Sequence, residues 1–160
     1  GLDLISGLKE VGCSARIDYA EDFNKSANEN INIVMRGLKP FFPKDHSKLN
    51  VLYIISRFNT ISDYEISRYD CVLVGSETIA QQMQKKHKNV LFVPQFTNTD
   101  RFFPEYDARY AHDVLFVGNA YAGVRPVVKM ALESGLDISV FGNFWNGKIE
   151  DKYIKGIYLF

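Results

Sequence analysis

Residues 112–128, His-Asp-Val-Leu-Phe-Val-Gly-Asn-Ala-Tyr-Ala-Gly-Val-Arg-Pro-Val-Val, constrain the fold more than any other stretch of the chain. Asp113 to Val117 is a short apolar run rich in β-branched and aromatic residues, which predicts a strand. It stops at Gly118-Asn119, and after a loop containing Gly123 and Arg125 a helix is expected to open at Pro126. A strand that runs straight into a helix is the start of a βαβ unit, and its loop lies where α/β proteins hold ligands. Two glycines let backbone approach a ligand closely, the helix N-terminus offers unpaired N–H groups, and Arg125 adds a fixed positive charge. That combination suits a phosphorylated ligand.

The same alternation runs through the rest of the chain. Leu4, Ile5, Leu8 and Val11 recur at helical spacing, with Gly12 as the stop. Ser14 to Ile17 reads as a strand and Glu21 to Asn30 as a polar loop. Ile31 to Met35 is a second strand, and Lys39 to Lys48, with two prolines, is irregular. Val51 to Ile55 is continuously apolar, the mark of a strand buried on both faces. Ser62-Asp-Tyr-Glu65 has the form of a capping box and predicts a short helix. Cys71 to Val74 is the next strand. Ser76 is placed to cap a helix over Glu77 to His87, with Ile79, Ala80 and Met83 facing inward. A strand over Asn89 to Val93, the strand Asp113 to Val117, a helix over Pro126 to Ser134 capped by Gly135, and strands at Ile138 to Phe141 and near Gly156 to Phe160 complete the series. The fold class is therefore α/β with Rossmann-like, mainly parallel sheets. A leading helix with no strand before it, and a last strand with no helix after it, predict that a first strand is missing and that the chain is part of a longer protein.

Composition excludes more than it selects. Nineteen basic residues balance nineteen acidic ones, so no global charge favours nucleic acid, and no nucleic-acid partner is expected. No apolar run approaches the roughly 20 residues of a membrane span, so no transmembrane segment is expected. The two cysteines, Cys13 and Cys71, have no metal spacing and read as buried free thiols, which fits a reducing, cytoplasmic setting. His46, His87 and His112 are dispersed, with no acid pair or ligand spacing around them, so no metal site and no resident cofactor are expected. No nucleophile elbow and no Ser-His-Asp order point to a hydrolase.

Several ordered segments together resemble the interior of a GT-B glycosyltransferase of the CgeB-like (spore-maturation, glycosyltransferase group 1) type. They are Val34-Met-Arg-Gly37, Val51-Leu-Tyr-Ile-Ile-Ser56 with Ser62 and Glu65, and Tyr69-Asp-Cys-Val-Leu-Val-Gly-Ser76. Pro94-Gln-Phe-Thr-Asn-Thr-Asp-Arg-Phe-Phe-Pro104, Asp113-Val-Leu-Phe-Val-Gly-Asn119 with Arg125-Pro126, and Val140-Phe-Gly-Asn-Phe-Trp145 extend the likeness over nearly the whole chain. The resemblance implies a GT-B arrangement: an acceptor-side Rossmann-like domain over residues 1–105, and the start of an incomplete nucleotide-sugar-binding domain over residues 106–160. Where the family tends to carry Ser-His-Pro-Asp after the third of these strands, this chain has Ser56-Arg57-Phe58-Asn59. A histidine and an acid are absent from that loop.

On this reading Gly118, Asn119 and Arg125 cradle the donor diphosphate, with Arg125 offsetting its charge in the transition state. The plainer reading of the same residues is a strand-to-helix turn with an exposed arginine. Gly142, Asn143 and Trp145 follow the next strand, where a nucleotide base stacks or where Trp145 simply fills a core. Arg36 and Gly37, Arg57 and Asn59, and Glu65 stand on the acceptor side. Arg36 faces a cleft or solvent, and Glu65 is the capping-box partner of Ser62 or a base. The implied partners are a nucleotide-sugar donor and a carbohydrate, lipid or protein acceptor. The rivals are a non-catalytic Rossmann-like module binding a nucleotide or partner protein, and a flavodoxin-like domain.

Overall fold

The computed structural model of the chain describes residues 1–19, 22 and 29–157. The chain divides into two compact units, Gly1–Phe103 and Pro104–Phe160. Both are α/β with parallel sheets, Rossmann-like in the alternation of strand and helix.

The first unit opens with helix α1 (Leu2–Glu10), whose end is fixed by Gly12 at φ 81°. Gly12 N donates to Lys9 O and Cys13 N to Leu8 O, the double bond pattern of a glycine-terminated helix. Strands β1 (Ile31–Met35), β2 (Leu49–Ile54), β3 (Cys71–Val74) and β4 (Val90–Phe92) follow, with helices α2 (Asp63–Ile66) and α3 (Glu77–Gln84) flanking β3 in sequence. The strands lie in the order β1-β2-β3-β4, all parallel. Register sets Val34, Leu52, Val72 and Val90 in one row across the sheet. That row and Ile54, Val74, Ile66, Tyr69 and Ala80 form the core, with Ile79 and Met83 of α3 packed against it. Burying each large aliphatic there contributes about 1.5–3 kcal/mol.

No helix joins β1 to β2, and side chains of other elements hold that connection instead. Asn50, fully buried, donates through Nδ2 to Asp45 O (3.0 Å) and Lys48 O (2.9 Å) and accepts from Asn32 Nδ2. The Tyr69 hydroxyl donates to Phe41 O.

Two expectations fail in this unit. Residues 13–19 form no strand, although Ser14 to Ile17 reads as one. A strand needs a hydrogen-bonded neighbour, and this run brings only Ala15 and Ile17 as apolar weight, while Arg16 is drawn into ion pairs with Asp18 and Glu29. Without that strand Cys13 is exposed rather than buried; Cys71 is half-buried, and both thiols are free. The loop expected over Glu21 to Asn30 lies mostly outside the described residues.

The second unit contains β5 (Val114–Val117), α4 (Pro126–Glu133), β6 (Ile138–Phe141) and β7 (Ile154–Gly156), with the strands parallel in that order. Its core is Ala120, Val128, Ile138, Val140 and Trp145, backed by Val114, Phe116, Leu132 and Ile154. Gly135, at φ 74°, ends α4 as Gly12 ends α1: Gly135 N donates to Leu132 O and Leu136 N to Ala131 O. On the other face of β5, Val117 remains 51% exposed. The last strand begins two residues before the expected Gly156, and residues 158–160 lie outside the described set. Among the described residues no helix is long and apolar enough to cross a membrane.

Candidate ligand site at the carboxyl ends of β5 and β6

Because β5 and β6 are parallel, the loops that follow them emerge at the same edge of the sheet. Three hydrogen bonds join these loops. Gly118 N donates to Phe141 O (2.8 Å), Ala120 N to Asn143 O (3.0 Å) and Asn143 N to Asn119 Oδ1 (2.7 Å). Gly142 sits at φ 144°, and a Cβ there would fall 2.1 Å from Gly118 O. The requirement for glycine at 142 therefore comes from the neighbouring loop, not from a ligand.

Asn119 organises the rest of the site. Its Nδ2 donates to the Tyr121 hydroxyl (3.0 Å), and its carbonyl accepts from Arg125 Nε (2.8 Å). Arg125 is the exposed N-cap residue of α4. Among the described residues, its two terminal guanidinium nitrogens engage no hydrogen-bond or ion-pair partner, and the guanidinium carbon lies over the Tyr121 ring, 6.0 Å from its centre, so these nitrogens are open to an anion. Pro126 has no N–H to offer, but those of Val127 and Val128 in the first turn have no intrahelical acceptor. A second cation, Lys148, donates through Nζ to the carbonyls of Ala120 and Tyr121. The edge thus concentrates two positive side chains and a helix N-terminus on one short loop, an arrangement able to hold a phosphate.

Of the two readings of Trp145, the structure takes the core one. Only 1% exposed, it packs edge-on against Phe116 with ring centroids 5.7 Å apart, and its indole N–H donates to Gly118 O at 2.7 Å. It is a core residue and presents no face to a base. The adjacent Phe144 points outward instead, at φ 68°, with its ring 5.5 Å from that of Tyr121. Asn143 is half-buried, and its side-chain amide engages no partner among the described residues.

In the first unit the acceptor-side candidates separate into two groups. Arg36, directly after β1, and Glu65, in α2, form a buried ion pair with both side chains 2% exposed. Arg36 Nε donates to Glu65 Oε1 (2.6 Å), Nη2 to Oε2 (3.2 Å) and Nη1 to Gly37 O (2.6 Å). Arg36 therefore faces neither solvent nor an open cleft, and Glu65, with both oxygens occupied, is not placed to act as a base. Half of the capping box is present, since Glu65 N donates to Ser62 Oγ at 3.0 Å. Its reciprocal arm is absent because the Glu65 carboxylate is taken by Arg36. Tyr69 lies in the same field, and burial first, then the Glu65 charge, push its phenol well above the usual range.

Arg57 and Asn59 are exposed in the loop after β2, Arg57 in the left-handed region at φ 57°. Their side chains engage no partner among the described residues, so they are surface groups, unlike Arg36 and Glu65. Gly37 contributes only its carbonyl. Among the described residues no three His, Cys, Asp or Glu side chains cluster to hold a metal. The sequence reading missed Tyr121, Phe144 and Lys148.

No family model, curated protein or solved structure matches this chain. The class that the fold and this site define is an α/β protein with Rossmann-like parallel sheets and a cationic loop cluster at the strand carboxyl ends.

Proposed function

We propose that the chain belongs to a glycosyltransferase of the GT-B kind, in which the second unit holds the diphosphate of a nucleotide-sugar donor. The observation that carries this is Arg125, pinned by its Nε to Asn119 O beside the α4 N-terminus with its outer nitrogens open. In sugar transfer the bond from the anomeric carbon to the diphosphate oxygen breaks, and negative charge grows on the departing diphosphate. A cation fixed before the reaction stabilises that charge without reorganising. The acceptor is a carbohydrate, lipid or protein hydroxyl or amine that takes the sugar.

Titration calorimetry with inorganic pyrophosphate and nucleoside diphosphates tests the binding step. Arg125→Ala is expected to weaken both by about 1.5–3 kcal/mol, the range for a hydrogen bond to a charged group. Equal binding by the wild type and variant would sink the diphosphate cradle. Release of nucleoside diphosphate from a nucleotide sugar, on adding candidate acceptors, tests the chemistry.

One observation favours a second reading, a nucleotide-binding module without catalysis. The only acceptor-side carboxylate singled out, Glu65, is locked on Arg36. Binding without turnover over a broad acceptor panel would select that reading.

A further inference from the structure

We propose that the exposed Phe42–Tyr64 ring pair and the lysines around it form a docking surface for an anionic lipid bilayer. The surface lies wholly in the first unit and is independent of the diphosphate reading of the second. Three segments meet there. The Tyr69 hydroxyl donates to Phe41 O in the β1–β2 connection, and the next residue, Phe42, sets its ring 5.6 Å from that of Tyr64 in α2. Asp63, beside Tyr64, lies 2.9 Å from His87 Nε2 and 3.5 Å from Lys86 Nζ, which brings the turn after α3 against α2. Arg68 Nη2 donates to His46 Nε2 at 2.6 Å, joining the end of the β1–β2 connection to the turn after α2.

Charge and apolar area coincide on this surface. Tyr64 is 65% exposed and Phe42 40%. Lys44, Lys85, Lys86 and Lys88 are exposed around them, and Arg68 is half-exposed. The acids of these segments are already engaged: Asp45 by Ser47 and Lys48, Asp63 by Lys86 and His87, and Asp70 by Asn50 N. Among the described residues Lys44, Lys85 and Lys88 have no acidic partner, so positive charge is left over locally in a chain whose net charge is zero. The lysines after α3 suit the carboxyl end of that helix, but Lys44 lies in a connection with no helix and has no such role. The Tyr121–Phe144 pair lacks a fringe of this kind, since Arg125 lies over the Tyr121 ring and Lys148 is tied to carbonyls.

A bilayer engages all of these groups at once. Aromatic side chains settle at headgroup depth, and lysines beside them meet anionic headgroups. Neither contact needs a groove. A single-stranded nucleic acid would need ring faces open to its bases, whereas these two rings touch each other, tilted by 48°.

Co-sedimentation with vesicles tests this, using phosphatidylcholine alone and phosphatidylcholine with about a third phosphatidylserine. The chain should bind the mixed vesicles and not the neutral ones. Each lysine near the surface is expected to carry about fivefold in affinity, so Lys85→Gln with Lys88→Gln should weaken binding by roughly twentyfold. Tyr64→Trp puts a reporter in the ring pair, and lipid carrying bromine on its acyl chains should quench it. Trp145, buried in the other core, supplies a constant background. Tyr64→Ser should weaken vesicle binding while leaving adsorption to heparin, which reads charge alone, as it was. Far-UV circular dichroism checks that each variant is folded. No binding to the mixed vesicles, or binding indifferent to the two lysine changes, would overturn the proposal. An unquenched Tyr64→Trp, or Tyr64→Ser binding vesicles as the wild type does, would leave a bare basic patch and overturn it too. Tighter binding to oligo(dT) than to the mixed vesicles would give the surface to nucleic acid and also overturn it.

Discussion

At the scale of single residues, the Arg36–Glu65 pair carries the largest consequence. Two charges held nearly out of water are favourable together, whereas one left alone is costly. Glu65→Gln is expected to destabilise the first unit by about 3–5 kcal/mol in urea unfolding followed by far-UV circular dichroism. Replacing both partners, Arg36→Met with Glu65→Leu, should cost less than either single change, because no buried charge is then stranded. Tyr69 makes the same cluster sensitive to alkali. Its phenol ionises later in the fold than the value of 10.0 expected for an exposed tyrosine, through burial and the Glu65 charge. A raised folded value means that this contribution to stability is complete below pH 10 and is lost as the pH climbs above it. Urea midpoints should therefore fall above pH 10 in the wild type and fall less steeply in Tyr69→Phe; parallel slopes would refute the assignment. Arg36 and Glu65 were both visible in the sequence as candidates, but their partnership was not.

At the scale of elements, local pattern was sufficient wherever backbone preference and burial period agreed. The run Val51 to Ile55 announced a strand buried on both faces, and β2 is the most buried strand of its sheet. Gly12 and Gly135 announced helix ends and provide them, since only glycine adopts that left-handed turn at no cost. The two serines show where local pattern stops. Ser62 and Ser76 each precede a helix, yet Ser62 Oγ accepts from Glu65 N while Ser76 makes no side-chain cap bond. Ser62→Ala is expected to cost about 0.5–2 kcal/mol and Ser76→Ala only a few tenths. Thermal midpoints measured side by side would check this, and equal losses would count against it. The strand read over Ser14 to Ile17 failed for a related reason: an apolar alternation makes a strand only when a neighbour completes its ladder.

At the scale of the whole molecule, two cores stabilise two units. Trp145, the single tryptophan of the chain, lies in the second core, so its fluorescence reports that unit. Gly142→Ala sets a Cβ 2.1 Å from a backbone carbonyl that cannot swing away, in a conformation alanine resists. The Trp145 transition should move by on the order of 1–3 kcal/mol. Gly37→Ala, with open space around its position, should leave its own unit nearly unchanged. A silent Gly142→Ala would mean that the β5 and β6 loops are not packed as described.

The sequence by itself determined the α/β class, the strands of continuous apolar character, the glycine-ended helices and the strand-loop-helix that carries Arg125. These follow from backbone preference and hydrophobic spacing within a dozen or so neighbouring residues. Only the tertiary structure decided which polar groups remain open. Arg36 and Glu65 are 29 positions apart and meet because β1 and α2 converge on one core. Trp145 turns inward because Phe116 and the Gly118 carbonyl receive it, which leaves Phe144 outside. Arg125 keeps its outer nitrogens open because Asn119 O accepts only its Nε. Partner choice depends on which side chains the folded sheets bring within about 3 Å of one another, the length of a hydrogen bond, and no local pattern encodes that distance.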